Sequence, residues 1–198
     1  MDKSSLKTMA FLVVIALILA GLATLAAPPK QSPAEQMLMT SGEAGKGWIR
    51  SLTHYPYADP GMESASRCVF SERNATGELV IQVTVEVFNS TTTCLSSYEY
   101  LNSSAYADRA SDNYTPLSIG DRAVEYQVHA DILFPNGTSF IYPIGIPLVY
   151  LARGDVLCII QTEGGGLYGS PMAWWQAVAL DFARIQLGDI DRYLAVNI

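Results

Sequence analysis

Residue types and spacings capable of chemistry occur at a few places in this chain. His129 and Asp131 stand two apart in "YQVHADI", a spacing that puts both on one face of a strand and could form a proton-transferring pair. The spacing G-x-G-x-x-G occurs at Gly164, Gly166 and Gly169 in "TEGGGLYGSP", after an apolar run and before a helix-like one. In a dinucleotide fold such glycines admit a pyrophosphate to a helix N-terminus, and that helix leads to a second parallel strand bearing an acid. Here the helix is expected to stop at Gly188, and Asp189 and Asp191 follow with no apolar strand around them. The loop therefore reads as a strand-to-helix connection, and no cofactor is expected.

Arg153-Gly154-Asp155 spells an adhesion tripeptide but falls where two strands need a turn. His54, Tyr55 and Tyr57 lie together in "SLTHYPYADPGM", a Pro- and Gly-marked loop whose aromatic content suits contact with a partner. The alternative is aromatic packing at the rim of the core. Neither C-x-x-C nor G-x-S-x-G is present, so neither a zinc knuckle nor a serine elbow is expected. Cys158, inside "VLCIIQ", reads as a small buried hydrophobe, while a bridge between Cys68 and Cys94 stays open as an alternative to two free thiols.

Asparagine carries the strongest pattern. Five of the six Asn residues begin an N-x-S/T triplet: Asn74, Asn89, Asn102, Asn113 and Asn136. Chance supplies about one such match in a chain of this kind, so glycosylation on the outer face of a membrane is the expectation.

A leader agrees with export. Residues 9–27, "MAFLVVIALILAGLATLAA", hold no charge and are bracketed by Lys7 and Lys30. A helix rising about 1.5 Å per residue over this stretch reaches across a hydrocarbon layer of roughly 30 Å. The expected organisation is a short cytoplasmic N-terminus (1–8), a transmembrane anchor (9–27), a Pro-rich spacer (28–34) and an extracytoplasmic domain (35–198). The alternative is a cleaved signal peptide, against which Pro28 and Pro29 stand directly after the small residues of the cleavage region. Removing residues 1–30 leaves nine basic and eighteen acidic residues, a net charge of −9. That balance opposes binding to nucleic acid. The expected partners are the lipid bilayer through 9–27 and an envelope protein or small ligand.

Elements that would position these residues follow from periodicity. Ser32 and Glu35 begin a short helix. In "ELVIQVTVEVF", Leu79, Ile81, Val83, Val85 and Val87 alternate with Val80, Gln82, Thr84, Glu86 and Phe88, giving a strand with one core face. Cys68-Val69-Phe70 makes a partner strand joined by a turn in "RNATG". Cys94, Leu95, Tyr98, Leu101 and Ala105 fall at helical intervals. A strand meander runs from Leu117 to Thr162, with Pro143 and Pro147 assigning its middle part to an edge or bulge. A last helix starts at Ser170 and Pro171 and buries a stripe of Trp175, Val178, Ala179, Phe182 and Ile185. The fold class is α+β: a mostly antiparallel sheet of about five or six strands, packed by two or three helices.

This order of elements, with "LSIGDRA" before the meander and "VYLARGDVLCII" as its last hairpin, resembles PsbP-like α/β/α sandwiches and LpqN-type exported lipoproteins from about Ser32 to Leu194. The resemblance implies an accessory, binding or assembly role and carries no catalytic set. The lipoproteins' anchoring cysteine has no counterpart here. The expected function is a membrane-anchored, extracytoplasmic, non-catalytic binding or envelope domain. The alternative is an extracytoplasmic hydrolase with its site near His129 and Asp131 or the Gly164–Gly169 loop.

Overall fold

The computed structural model describes residues 30–53, 55, 59–74, 77–103, 114–128, 131–133, 139–141, 146–165 and 172–197. Residues 9–27 lie outside them, and no described helix is long and apolar enough to cross a membrane. The chain divides into a unit ending at Gln31 and a compact unit from Ser32 onward.

In chain order the second unit contains α1 (Pro33–Met37), α2 (Ser41–Ala44), β1 (Ile49–Thr53), β2 (Met62–Asn74), β3 (Gly77–Phe88), α3 (Thr91–Leu101), β4 (Tyr114–Pro116), β5 (Arg122–Val128), β6 (Asp131–Leu133), β7 (Ser139–Ile141), β8 (Ile146–Arg153), β9 (Val156–Gly165) and α4 (Met172–Asn197). Seven strands form one sheet in the order β1-β2-β3-β9-β8-β5-β4, every neighbour antiparallel, and β6-β7 is a separate hairpin. The sheet has one strand more than the upper expectation, because β1 and β4 are short, exposed edges with too little apolar alternation to announce themselves.

Alternation in β2 and β3 decides which side chains meet which layer. One face carries Cys68, Phe70, Ile81, Val83, Val85, Val149, Leu151, Cys158 and Ile160, all buried in a core closed by α1 and α4. Phe182 of α4 sits edge-on to Phe70 and Trp48, with ring centroids 5.3 and 4.9 Å away. The other face carries Phe88, Tyr126, Tyr150 and Leu157 beneath Cys94 and Tyr98 of α3. Helices on both faces of an antiparallel sheet give the α/β/α layering expected.

Local chemistry sets the helix starts. Ser32 Oγ accepts from the Glu35 N–H at 3.2 Å, and Pro33 occupies the first helical turn. Thr40 and Glu43 form a reciprocal capping box for α2. Ser90 caps α3 through the Thr93 N–H.

Three expectations are corrected. The last helix does not stop at Gly188 but continues to Asn197. Glycine in a helix costs about 1 kcal/mol, which the burial of Ile190 and the packing of Tyr193 and Leu194 outweigh. Pro147 is not in an edge strand, since β8 lies between β5 and β9. It is tolerated because the ladder with β9 begins only at Leu148, and Pro147 itself pairs on the β5 side alone. The possible Cys68–Cys94 bridge is absent: both thiols are free, buried, and in apolar clusters on opposite faces of the sheet.

Candidate functional site

The register of β2 against β3 puts Arg67 opposite Thr84 and Ala65 opposite Glu86 on the α3-bearing face, while Thr53 of β1 faces Arg67. Two residues past the end of β1, Tyr55 returns over this group. Its hydroxyl donates to Glu86 Oε1 at 2.5 Å, and the Arg67 guanidinium carbon stands 4.7 Å from its ring centroid. Arg67 Nε donates to Thr84 Oγ1 at 3.0 Å. Glu86 is only 2% exposed.

Charges here act against burial. Desolvation pushes the Glu86 carboxyl above its ordinary value, opposed by the Tyr55 hydrogen bond and reinforced by nearby Asp59. Burial, then the Glu86 carboxylate, push the Tyr55 phenol well above its ordinary value. A phenol so held is a reluctant acid, and its lone proton is committed to Glu86. The arrangement is a clasp that fixes Tyr55 to the sheet.

A second buried acid lies on the opposite face. Glu125 of β5 is 6% exposed, and burial raises its carboxyl, an effect that the Gln176 side chain of α4 opposes. Glu125 Oε1 and Trp175 Nε1 are both buried without a partner. Asp189 is buried near the far end of α4, where it pairs with Arg192. A groove of about 490 Å³ runs between α2, the start of β1 and α4, floored by Trp48, Val178, Phe182 and Ile185.

Of the residues singled out from sequence, His54, Tyr57, His129, Gly166, Gly169, Asn113 and Asn136 lie outside the described residues. Asp131 begins β6, paired with Ile141. Gly164 is not in a loop: it is laddered to Leu79 near the end of β9, so the glycine spacing straddles a strand end. Asn74 ends β2 opposite Gly77. Asn89 is exposed directly before the cap of α3, and Asn102 closes the same helix, its side-chain oxygen accepting from the Tyr126 hydroxyl. Among the described residues no group of three or more His, Cys, Asp or Glu is placed to hold a metal ion.

Arg153-Gly154-Asp155 is the β8–β9 turn. Arg153 is held by Asp121 Oδ1 at 2.8 Å and by Asp191 Oδ1 at 2.7 Å, and the Gly154 N–H donates to Asp121 Oδ2 at 2.7 Å. The Arg153 side chain is thus engaged within the fold.

Glu86, Arg67, Thr84 and Glu125 were not singled out from the sequence. A Glu inside a run of β-branched residues is the one signal that pointed to them, since an acid at such a position needs a reason to be there.

No family model matches the chain, and no curated protein does. Among solved structures, the chain is similar to the extracellular domain of PknH from Mycobacterium tuberculosis, with 11% identity and a TM-score of 0.45 over 80% of this chain and 97% of that one. None of these comparisons confirms the PsbP-like and LpqN-type resemblance.

Proposed function

We propose that the protein is an exported, membrane-tethered and N-glycosylated α+β domain with a non-catalytic binding role, and that the loop bearing His54, Tyr55 and Tyr57 is its contact element. Export is supported by the uncharged stretch 9–27 and by five N-x-S/T triplets among six Asn residues. The binding role is carried by the Tyr55–Glu86 clasp. A buried carboxylate is costly, and here it holds Tyr55, whose ordering would otherwise cost entropy each time it met a partner. Pre-fixing Tyr55 removes that cost in advance.

Three measurements on the chain, expressed in cells with a secretory pathway, test this reading. Endoglycosidase treatment is expected to lower its mass, and external protease to digest the domain without permeabilisation. A photo-crosslinking residue in place of Tyr57 is expected to give a discrete adduct that Tyr55→Ala abolishes, with none from the same residue in place of Ser118. An unchanged mass together with protection from external protease overturns export. An adduct pattern indifferent to Tyr55 overturns the contact loop.

A further inference from the structure

Past Gly188, α4 continues as "DIDRYLAVN", and the helical repeat turns Asp189, Arg192, Tyr193 and Val196 to one side, while Asp191 meets Arg153. That side faces the α1–α2 connection, which Gln186 holds against α4 through the Met37 carbonyl and the Met39 N–H. Between them lies a cavity of about 360 Å³, whose lining includes these four residues together with Leu38 and Glu43.

Two carboxylates line the cavity, and hydrogen bonds are shared between them in inverse relation to their burial. Glu43, whose side chain is 32% exposed, has three donors: the Thr40 N–H at 2.7 Å, the Thr40 hydroxyl at 2.8 Å and Arg192 Nη2 at 2.7 Å. Asp189, whose side chain is 8% exposed, is met only at Oδ1, by the same Arg192 Nη2. Its Oδ2 is buried with no partner among the described residues. An unsatisfied oxygen costs most where water is excluded, so the better-buried acid has the greater need of a donor. Charge is unbalanced in the same sense, one guanidinium serving two carboxylates.

We infer that this cavity is a binding site for a primary ammonium group, with Asp189 as its carboxylate anchor. An ammonium brings three donors and one positive charge, which answers both the unpartnered Oδ2 and the charge balance. Its entry leaves no cation stranded: Arg192 can leave Asp189 and stay on Glu43, to which it is already bonded. Leu38, Tyr193 and Val196 give the cavity an apolar side, and its volume is at the small end for ligand sites, so the ammonium comes on a short alkyl body. A metal ion suits the site less, since among the described residues no third His, Cys, Asp or Glu joins the two carboxylates. A neutral alcohol can donate to Oδ2 but leaves the charge unbalanced. The site goes beyond the proposed contact at Tyr55, which lies on the other face of the sheet, and it depends neither on that contact nor on export.

The test is titration calorimetry on the full chain in a neutral detergent, with n-butylammonium, 1-butanol and butyrate as probes. The ammonium is expected to bind at least about tenfold more tightly than the alcohol, and butyrate not at all. Asp189→Asn keeps the shape, removes the charge and should weaken n-butylammonium about tenfold or more. Asp181→Asn, at an exposed acid of the same helix outside the cavity, should leave its affinity unchanged. Arg192→Gln should act in the opposite direction and tighten binding about threefold or more, because Asp189 loses the cation that competes for it; a merely structural loss would weaken it. No measurable binding of n-butylammonium, equal binding of 1-butanol, an affinity indifferent to Asp189→Asn or equally reduced by Asp181→Asn, or weaker binding in Arg192→Gln overturns the proposal.

Discussion

The Tyr55 hydroxyl and the Glu86 carboxylate, remote in sequence, meet at 2.5 Å over the sheet. Tyr55→Phe leaves a buried carboxylate oxygen without its donor and is expected to cost about 1–3 kcal/mol in urea unfolding. Glu86→Gln keeps an acceptor and removes the charge. Burial lifts the Glu86 carboxyl above its ordinary 4.5 in the fold. Its contribution to stability is therefore full below that value and falls as pH rises through the raised one. Relative to the parent, Glu86→Gln should gain stability from pH 4 towards pH 7.5. A flat difference across that range would show that the carboxyl titrates normally.

The Asp121 carboxylate behaves oppositely. The Gly154 N–H first, and then Arg153, hold its carboxyl below the usual 3.8. That stabilisation is present above the unfolded value and is lost as pH falls through the folded one. Asp121→Asn should cost about 1–2 kcal/mol at pH 7, and the gap should close in acid. Denaturation midpoints at pH 7 and pH 3 measure both ends, and an equal gap at the two would contradict the assignment.

Gln186 spans two elements with one amide. Its Nε2 donates to the Met37 carbonyl at 2.6 Å and its Oε1 accepts from the Met39 N–H at 3.2 Å, all of it buried. Gln186→Leu keeps the volume but strands both backbone groups. A loss of roughly 2–4 kcal/mol is expected, with faster hydrogen exchange at Met39. A change under about 0.5 kcal/mol, the scale of a surface substitution, would remove the amide's structural role.

Gly188 lies inside α4, with nothing within 4 Å of where a Cβ would stand. Gly188→Ala should raise stability by about 0.5–1 kcal/mol. Thermal melting is sufficient to check this, and a lower midpoint would show that the helix is not continuous there.

Much of this architecture could be read from the chain because the decisive signals are local. Alternation from Leu79 to Val87 places β3 and its core face, Ser32 announces a helix start, and Arg153-Gly154-Asp155 reads as a turn. What was hidden depends on pairing between distant segments. Arg67 and Thr84 meet only through the β2–β3 register, and Tyr55 meets Glu86 across 31 positions of sequence. Gly188 reads as a stop until one knows that Ile190 has a core to enter. The two motifs behind the architectural resemblance prove to be one contact: Gly120, at φ 62°, lies so close to the Ala152 carbonyl that a Cβ would come within 2.8 Å, and Asp121 then reaches the turn after β8.

Strand β9 lies at the middle of the sheet, between β3 and β8, yet is the last strand to be made. During synthesis β3 must wait with one long edge open until β9 has emerged, so the two halves of the sheet close late and together. Every asparagine that begins an N-x-S/T triplet precedes β9, so on the proposed export route a sugar-transferring enzyme acting on the growing chain would meet each one before that closure. Asn102 could be modified while its later bond to Tyr126 does not yet exist.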